Sequence, residues 1–248
     1  MSKIIGTPPS NKPATDIPNK VSNSAGDDSE FVSASLPSRL STDLLQETLT
    51  RIRLDSRYAE NLPYGKVRKG HPEGSVENHI AEVEQNVSEI CALSRSLGTE
   101  IPQELIIELL IVTHVHDTFK GQSKKQARIE DPESHASLAR AFLSEFSADD
   151  RLLSCVQYHD VPYSMYRNFK KFGDVNHERL SSLIGNVKDL HLFTLFQIAD
   201  NTTKGKAPEQ NATSSTEWFI NQVSGQLIKS DYYLAIYRML AERKATHN

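Results

Sequence analysis

Long apolar runs are missing from this chain of 248 residues: none reaches the ~18 residues that a bilayer-spanning helix needs. The first residues also lack the apolar core of a secretory signal, so the expectation is a cytoplasmic protein with no membrane partner. Cysteine is scarce. Cys91 and Cys155 are the two present, each inside an apolar-patterned stretch, and they read as buried thiols in a reducing compartment rather than as a disulfide framework. Neither sign of charge dominates: 28 basic against 32 acidic residues leave a formal net charge of -4. That balance excludes a nucleic-acid coat or a membrane-surface protein, and no stable nucleic-acid binding is expected. No period-two alternation persists anywhere and no internal repeat is found, which excludes a sheet-based fold and points to an all-α one. With 38% hydrophobic residues the chain can bury one sizeable core.

Residues 1 to 40 are rich in Ser, Pro, Asn, Lys and Asp. They offer too little apolar surface to offset chain entropy, and the expectation is a disordered tail followed by one helical domain over 41–248. From Ser41, Leu44, Leu45, Leu49 and Ile52 recur at helical spacing, with Ser41 or Thr42 as cap. A second helix starts after Gly74, carries Val76, Ile80, Val83, Val87 and Ile90, and stops at Gly98. Further helices are expected from about Pro132 to Phe146, from Ala148–Asp149 to His159–Asp160, from Leu190 to Thr203, and, singly or as a pair, from about Thr216 to Arg243. Tyr163 to Lys171 reads as a loop or short helix.

The centre of the pattern is Leu105 to Gly121, LIIELLIVTHVHDTFKG. It is apolar on nearly every side up to Val115, as a helix in the middle of a bundle must be, and then turns polar at His116–Asp117. A buried carboxylate needs a cation, strong hydrogen bonds or a metal. Other ionisable groups sit on apolar stripes in the same way: His79 between Val76 and Val83, His135 four residues before Ala139, His159 at the end of its helix, and Asp200 four past Phe196. One such histidine is ordinarily a satisfied core residue, but four with two carboxylates suit a metal site built from facing helices. His114 lies about 200° round the helix from His116 and is assigned a structural role.

These segments, in order, resemble the HD-domain metal-dependent phosphohydrolase superfamily. SVENHIAEV is similar to its first histidine helix, HVHDTFKG to its His-Asp-x-Gly-Lys segment, ESHASLARAFL and VQYHDVPY to helices bearing a third and fourth histidine, and LFQIADNTTKGK to its closing Asp helix. HPEGSVENH further resembles the HD domains attached to tRNA nucleotidyltransferases. The likeness covers residues 70–206 and departs at Phe119, where the family usually has Gly.

The resemblance implies an HD-like helical bundle and a metal centre on His79, His116, Asp117 and Asp200. His135 and His159 extend it to the binuclear ligand set, with Asp117 bridging two divalent ions, Fe, Mn or similar. In a mononuclear alternative these two histidines bind phosphate or protonate the leaving group. Four positive charges against two aspartates leave an excess that suits an anionic substrate. Asp117, Lys120 and His135 are the expected catalytic residues. Lys120, Lys204 and His159 are the expected substrate contacts, with Lys206 as a further candidate for a phosphate. Asp160 is expected to orient His159 or a neighbouring ligand, and His71 to line the entrance. The implied activity is hydrolysis of a nucleotide or related phosphate ester by water activated at the metals. The branch that cleaves dinucleoside tetraphosphates symmetrically is a close analogy, and a nucleotidase, a cyclic-dinucleotide phosphodiesterase and a guanosine-polyphosphate hydrolase fit almost equally well. The alternatives are a di-iron oxygenase on the same ligand set and a non-catalytic nucleotide-binding domain.

Overall fold

The computed structural model describes residues 39–68, 71–206 and 214–246, so the tail expected over residues 1–40 lies, but for Arg39 and Leu40, outside the described residues. Among the described residues the fold is all-α, with two isolated β-bridges and no strand. The helices are α1 (Thr42–Leu54), α2 (Ser56–Asn61), α3 (Val76–Ser96), α4 (Gln103–Val115), α5 (His135–Ser144), α6 (Asp150–Tyr158), α7 (Val161–Phe172), α8 (His177–Asn186), α9 (Leu190–Asn201), α10 (Ser215–Gln222) and α11 (Ser230–Thr246). A single 3-10 turn, Thr118–Gly121, follows α4.

Helix α4 is the axle. Leu105, Ile107, Leu109, Ile111, Val112 and Val115 are all buried, on every side of it. It packs against α1, α3, α6 and α9, and those helices could cover it only because it has no polar face. The starts of the surrounding helices follow local chemistry. Ser41, Ser75, Ser134, Asp149 and Asp189 each accept a backbone N–H with the side chain, as N-caps do. Of the stripe expected on α1, Leu45, Leu49 and Ile52 are buried, whereas Leu44 faces outward.

Two elements settle alternatives that the sequence left open, and one is new. Tyr163–Lys171 belongs to a full twelve-residue helix, α7; Pro162 lies in its first turn, where no backbone N–H is needed, so it opens this helix. Helix α8 has no counterpart in the sequence reading, because only Leu180 and Leu183 are buried along it and so short a stripe carries little periodic signal. The C-terminal segment is a pair, α10 and α11.

One buried ionic cluster ties the bundle together. Glu108, in the middle of α4, is fully buried and pairs with Arg39 ahead of α1 and with Arg151 of α6, whose Nη2 is 2.9 Å from Oε1. Arg39 and Arg151 in turn face Asp189, the cap of α9, at 2.9 and 3.9 Å. An acid in the N-terminal half of α4 suits the helix dipole; in the fold Glu108 joins two segments to α4 directly and α9 through their arginines.

The loop between α2 and α3 is folded back on itself by the bridge between Gly65 and Ser75. Gly65 has φ +119°, and a Cβ there would sit 2.3 Å from the carbonyl oxygen of Gly74. Both facts demand glycine. Gly65→Ala is expected to destabilise the protein by more than about 1 kcal/mol, read by urea denaturation. Gly121 has no Cβ for a related reason: the Tyr64 ring would lie 2.7 Å from it.

Candidate metal centre

All six expected ligands come from helix ends. His79 lies in the first turns of α3, and His116 and Asp117 follow the last turn of α4. His135 opens α5, His159 closes α6, and Asp200 is the penultimate residue of α9. Helix ends are where backbone curvature lets a polar side chain turn inward from an apolar stripe. The structure brings all six together, and five are buried; the side chain of His135, 18% exposed, is the most accessible.

The side chains form two sets that share Asp117. In the first, His79 Nε2 is 3.0 Å from Asp200 Oδ1 and 3.3 Å from His116 Nε2. Asp117 Oδ2 completes it, 3.6 and 3.4 Å from those two nitrogens. In the second, His135 Nε2 and His159 Nε2 are 3.3 Å apart, and the other oxygen, Asp117 Oδ1, is 3.9 and 3.5 Å from them. One carboxylate therefore offers one oxygen to each pair of imidazoles.

The donor chemistry fits cations. His116 directs Nδ1 at the carbonyl of Thr113, 2.9 Å, and His159 directs Nδ1 at that of Val156, 2.8 Å. Those contacts hold the proton on Nδ1 and leave Nε2 as a lone-pair donor aimed inward. Asp117 Oδ1 is buried and has no hydrogen-bond partner. Lone pairs converging on an unsatisfied carboxylate oxygen are costly without a positive charge between them. The two sets of His and Asp side chains could hold divalent metal ions.

Local charge follows the same logic. Burial pushes the Asp117 carboxyl up, but Lys120 and His116 outweigh it and hold the group well below the usual carboxylate range. Burial likewise opposes ionisation of Asp200, and Lys206 and His79 keep it well below that range. Lys120 Nζ pairs with Asp117, and Lys206 Nζ lies 2.8 Å from Asp200 Oδ1. Burial pulls His79 below its ordinary value, against Asp200, and so favours the neutral imidazole that a metal requires. At His159 burial also acts downward, but Asp160 and Asp117 outweigh it and push the group up to about 9.

Several contacts position the ligands. The buried Asn86 of α3 donates Nδ2 to Ala199 O at 2.7 Å and to Thr202 Oγ1 at 3.2 Å, fixing the end of α9 where Asp200 faces His79. Gln197 donates Nε2 to the carbonyl of His159 at 2.8 Å. The Phe196 ring stands edge-on to His116, centroids 5.0 Å apart, and keeps that wall apolar. Phe119 packs on Phe142 at 5.0 Å. A core aromatic thus fills the position at which the sequence departs from the resemblance.

Beside the two sets opens a cavity of about 430 Å³, lined among others by Lys120, His159, Asp160, Asp200 and Lys206. His71 is also among its lining residues. Lys204 is not among the lining residues. Its side chain is exposed and its backbone N–H donates to Glu82 Oε2 at 2.8 Å, so of the two lysines named after Asp200 it is Lys206 that lines the cavity. Asp160 also differs from expectation. Its carboxylate lies on the Nε2 side, 3.2 Å from His135 and 3.7 Å from His159, while the Nδ1 of His159 is taken by Val156. Asp160 therefore faces the cavity rather than orienting a ligand from behind. His114 points away, among Tyr58, Arg53 and Glu84, as its helical angle requires.

Glu73 is the residue that sequence reasoning missed. Its side chain is buried, with Oε1 2.9 Å from His71 Nδ1 and 3.6 Å from His79 Nδ1. His79 Nδ1 and Glu73 Oε2 are both buried without a hydrogen-bond partner, so the carboxylate is set to accept from the back of a ligating imidazole. A six-residue separation across a turn carries no helical signal; a carboxylate in the His-Pro-Glu-Gly turn just ahead of the first histidine was the only hint. Glu73→Gln is expected to weaken metal affinity about 10–100-fold, measured by competition with a chromogenic chelator.

No family model, no curated protein and no solved structure matches this chain.

Proposed function

We propose that the chain is an HD-domain-type, metal-dependent phosphohydrolase acting on a nucleotide or related phosphate ester. The observation that carries this reading is the division of Asp117 between two imidazole pairs, next to a cavity that two ammonium groups face. His79, His116, Asp117 and Asp200 would hold one ion, and Asp117, His135 and His159 the other. When bound, two such ions supply an acidified water as nucleophile and neutralise the oxygens of the transferring phosphoryl group. The chain's own contribution is charge and placement. Lys120 and Lys206 have aspartates as partners and reach a phosphate as point charges from the same cavity wall. Asp160 lines the same cavity beside His135 and His159, whose charge outweighs burial and holds its carboxyl well below the usual carboxylate range, so it would remain an anion able to accept a hydrogen bond from the attacking water. The Phe196 ring beside the buried His116 lowers the local polarity there, which strengthens charge interactions at that ligand.

A redox reading uses the same donor set with iron and oxygen. Two lysines at the cavity favour phosphate chemistry over it, since neither is needed to bind oxygen. The test is a screen of phosphate esters with the full chain reconstituted in Mn2+ or Fe2+. Phosphate release that follows metal content supports hydrolysis. Iron-dependent oxygen uptake with no phosphate released overturns it.

A further inference from the structure

A second cavity, of about 590 Å³, adjoins the metal centre. His135, Asp160 and Tyr163 belong to its lining, and Asp160 and Tyr163 also line the cavity beside Lys120 and Lys206, so the two spaces share a wall. Three guanidiniums face this second space from three separate elements: Arg128 from the segment before α5, Arg167 from α7 and Arg179 from α8. Among the described residues none of the three is in an ion pair with a carboxylate. Arg179 donates Nη1 to Ser164 Oγ at 3.1 Å, and Arg167 lies over the Tyr163 ring at 6.0 Å. Both contacts hold a guanidinium in place without neutralising it. The facing carboxylates are Glu130 and Asp160, and Asp160 already faces His135 and His159.

We propose that Arg128, Arg167 and Arg179 form a second anion subsite, which takes a phosphate of the substrate other than the one that reacts. Planar guanidinium forks match phosphate oxygens two at a time, and arginine keeps its charge at any working pH. A shared wall lets one molecule lie across both spaces, with its reacting phosphate toward Lys120 and Lys206 and a further phosphate toward the arginines. The substrate is accordingly a polyphosphorylated nucleotide or similar ester rather than a monophosphate. This inference rests on the phosphohydrolase reading for which phosphate reacts, but the subsite itself can be tested by binding alone.

The probes are adenosine 5′-triphosphate and adenosine 5′-monophosphate. Their binding to the full chain in excess Mn2+ is read by equilibrium dialysis at low temperature, using nucleotide labelled in the adenosine moiety. The triphosphate is expected to bind about tenfold tighter or more, the scale of one or two charge-assisted contacts. The double variant R128Q/R167Q changes two exposed side chains, so the fold is expected to persist, as checked by its melting curve. It should lose that advantage while binding the monophosphate within about twofold of the parent. Equal affinity of the parent for both nucleotides, or a double variant that still prefers the triphosphate, overturns the subsite. Equal loss of both nucleotides also overturns it, since the arginines would then hold the first phosphate. Hydrolysis is scored separately at assay temperature on adenosine 5′-triphosphate and the phosphate-ester screen: cleavage of none of them by the metal-loaded parent sinks the phosphohydrolase reading and leaves the dialysis result standing.

Discussion

Asp117→Asn is expected to abolish metal loading of both halves of the site and all turnover with it. Asp117 is the one side chain placed in both candidate ligand sets, through Oδ2 beside His79 and His116 and through Oδ1 beside His135 and His159. An amide of the same shape offers one neutral oxygen and, on its other side, N–H donors. Whichever way the amide turns, one imidazole pair then faces a donor where a ligand is needed. The loss should exceed the roughly 10–100-fold that follows removal of a residue behind a ligand. Metal content by plasma mass spectrometry, after dialysis against a matched metal buffer, reads the effect directly, with phosphate release measured on the same sample. A variant that keeps two ions per chain would show that Asp117 is not shared between them. Circular dichroism separates loss of metal from loss of fold, since the change also leaves the half-buried Lys120 without its carboxylate partner.

Glu108→Gln is expected to be the most destabilising conservative change in the bundle. The carboxylate is fully buried and stands between the guanidiniums of Arg39 and Arg151. Removing one member of a buried ionic cluster leaves its partners uncompensated, at a cost of about 3–5 kcal/mol. For a domain of this size that corresponds to a fall of roughly 6–20 °C in melting temperature. Gln preserves shape and packing, so a merely space-filling role for Glu108 predicts a stability close to the parent. The consequence reaches the metal centre, because the same cluster fixes Arg151 of α6 and the Asp189 cap of α9 relative to α4. Those three helices deliver His159, Asp200 and His116. Metal affinity should therefore weaken in Glu108→Gln even under conditions where the protein remains folded, as a chelator competition will show.

The helices and the six candidate ligands were legible because each leaves a periodic trace. An apolar stripe of period 3.6 marks the buried face, and a histidine or aspartate on that stripe stands out against it, as His79 does between Val76 and Val83. The angle from His116 to His114 was legible for the same reason, and the structure places the two in separate surroundings. What escaped was whatever depends on contacts between distant segments. Glu108 reads as a dipole-favoured acid until Arg39 and Arg151 are seen across the bundle from it. Glu73 acts across a turn, Asp160 turns its carboxylate toward Nε2 rather than Nδ1, and of the two candidate lysines Lys204 stays outside the cavity. None of these follows from a helical wheel, because each is set where a helix has ended. Helix α8 was invisible because two leucines are too few for a period to show. The three arginines of the second cavity were unreadable for a related reason: they converge only when α7 and α8 are folded beside the segment that precedes α5.

The most direct measurement is anomalous diffraction from crystals of the full chain loaded with Mn2+. Two peaks per chain are expected, roughly 3.5–4 Å apart as in other two-metal sites. One should be ligated by His79, His116 and Asp200, the other by His135 and His159, with Asp117 joined to both. Manganese bound elsewhere, or absent from these side chains at saturating concentration, would contradict the assignment of this cluster as a metal centre.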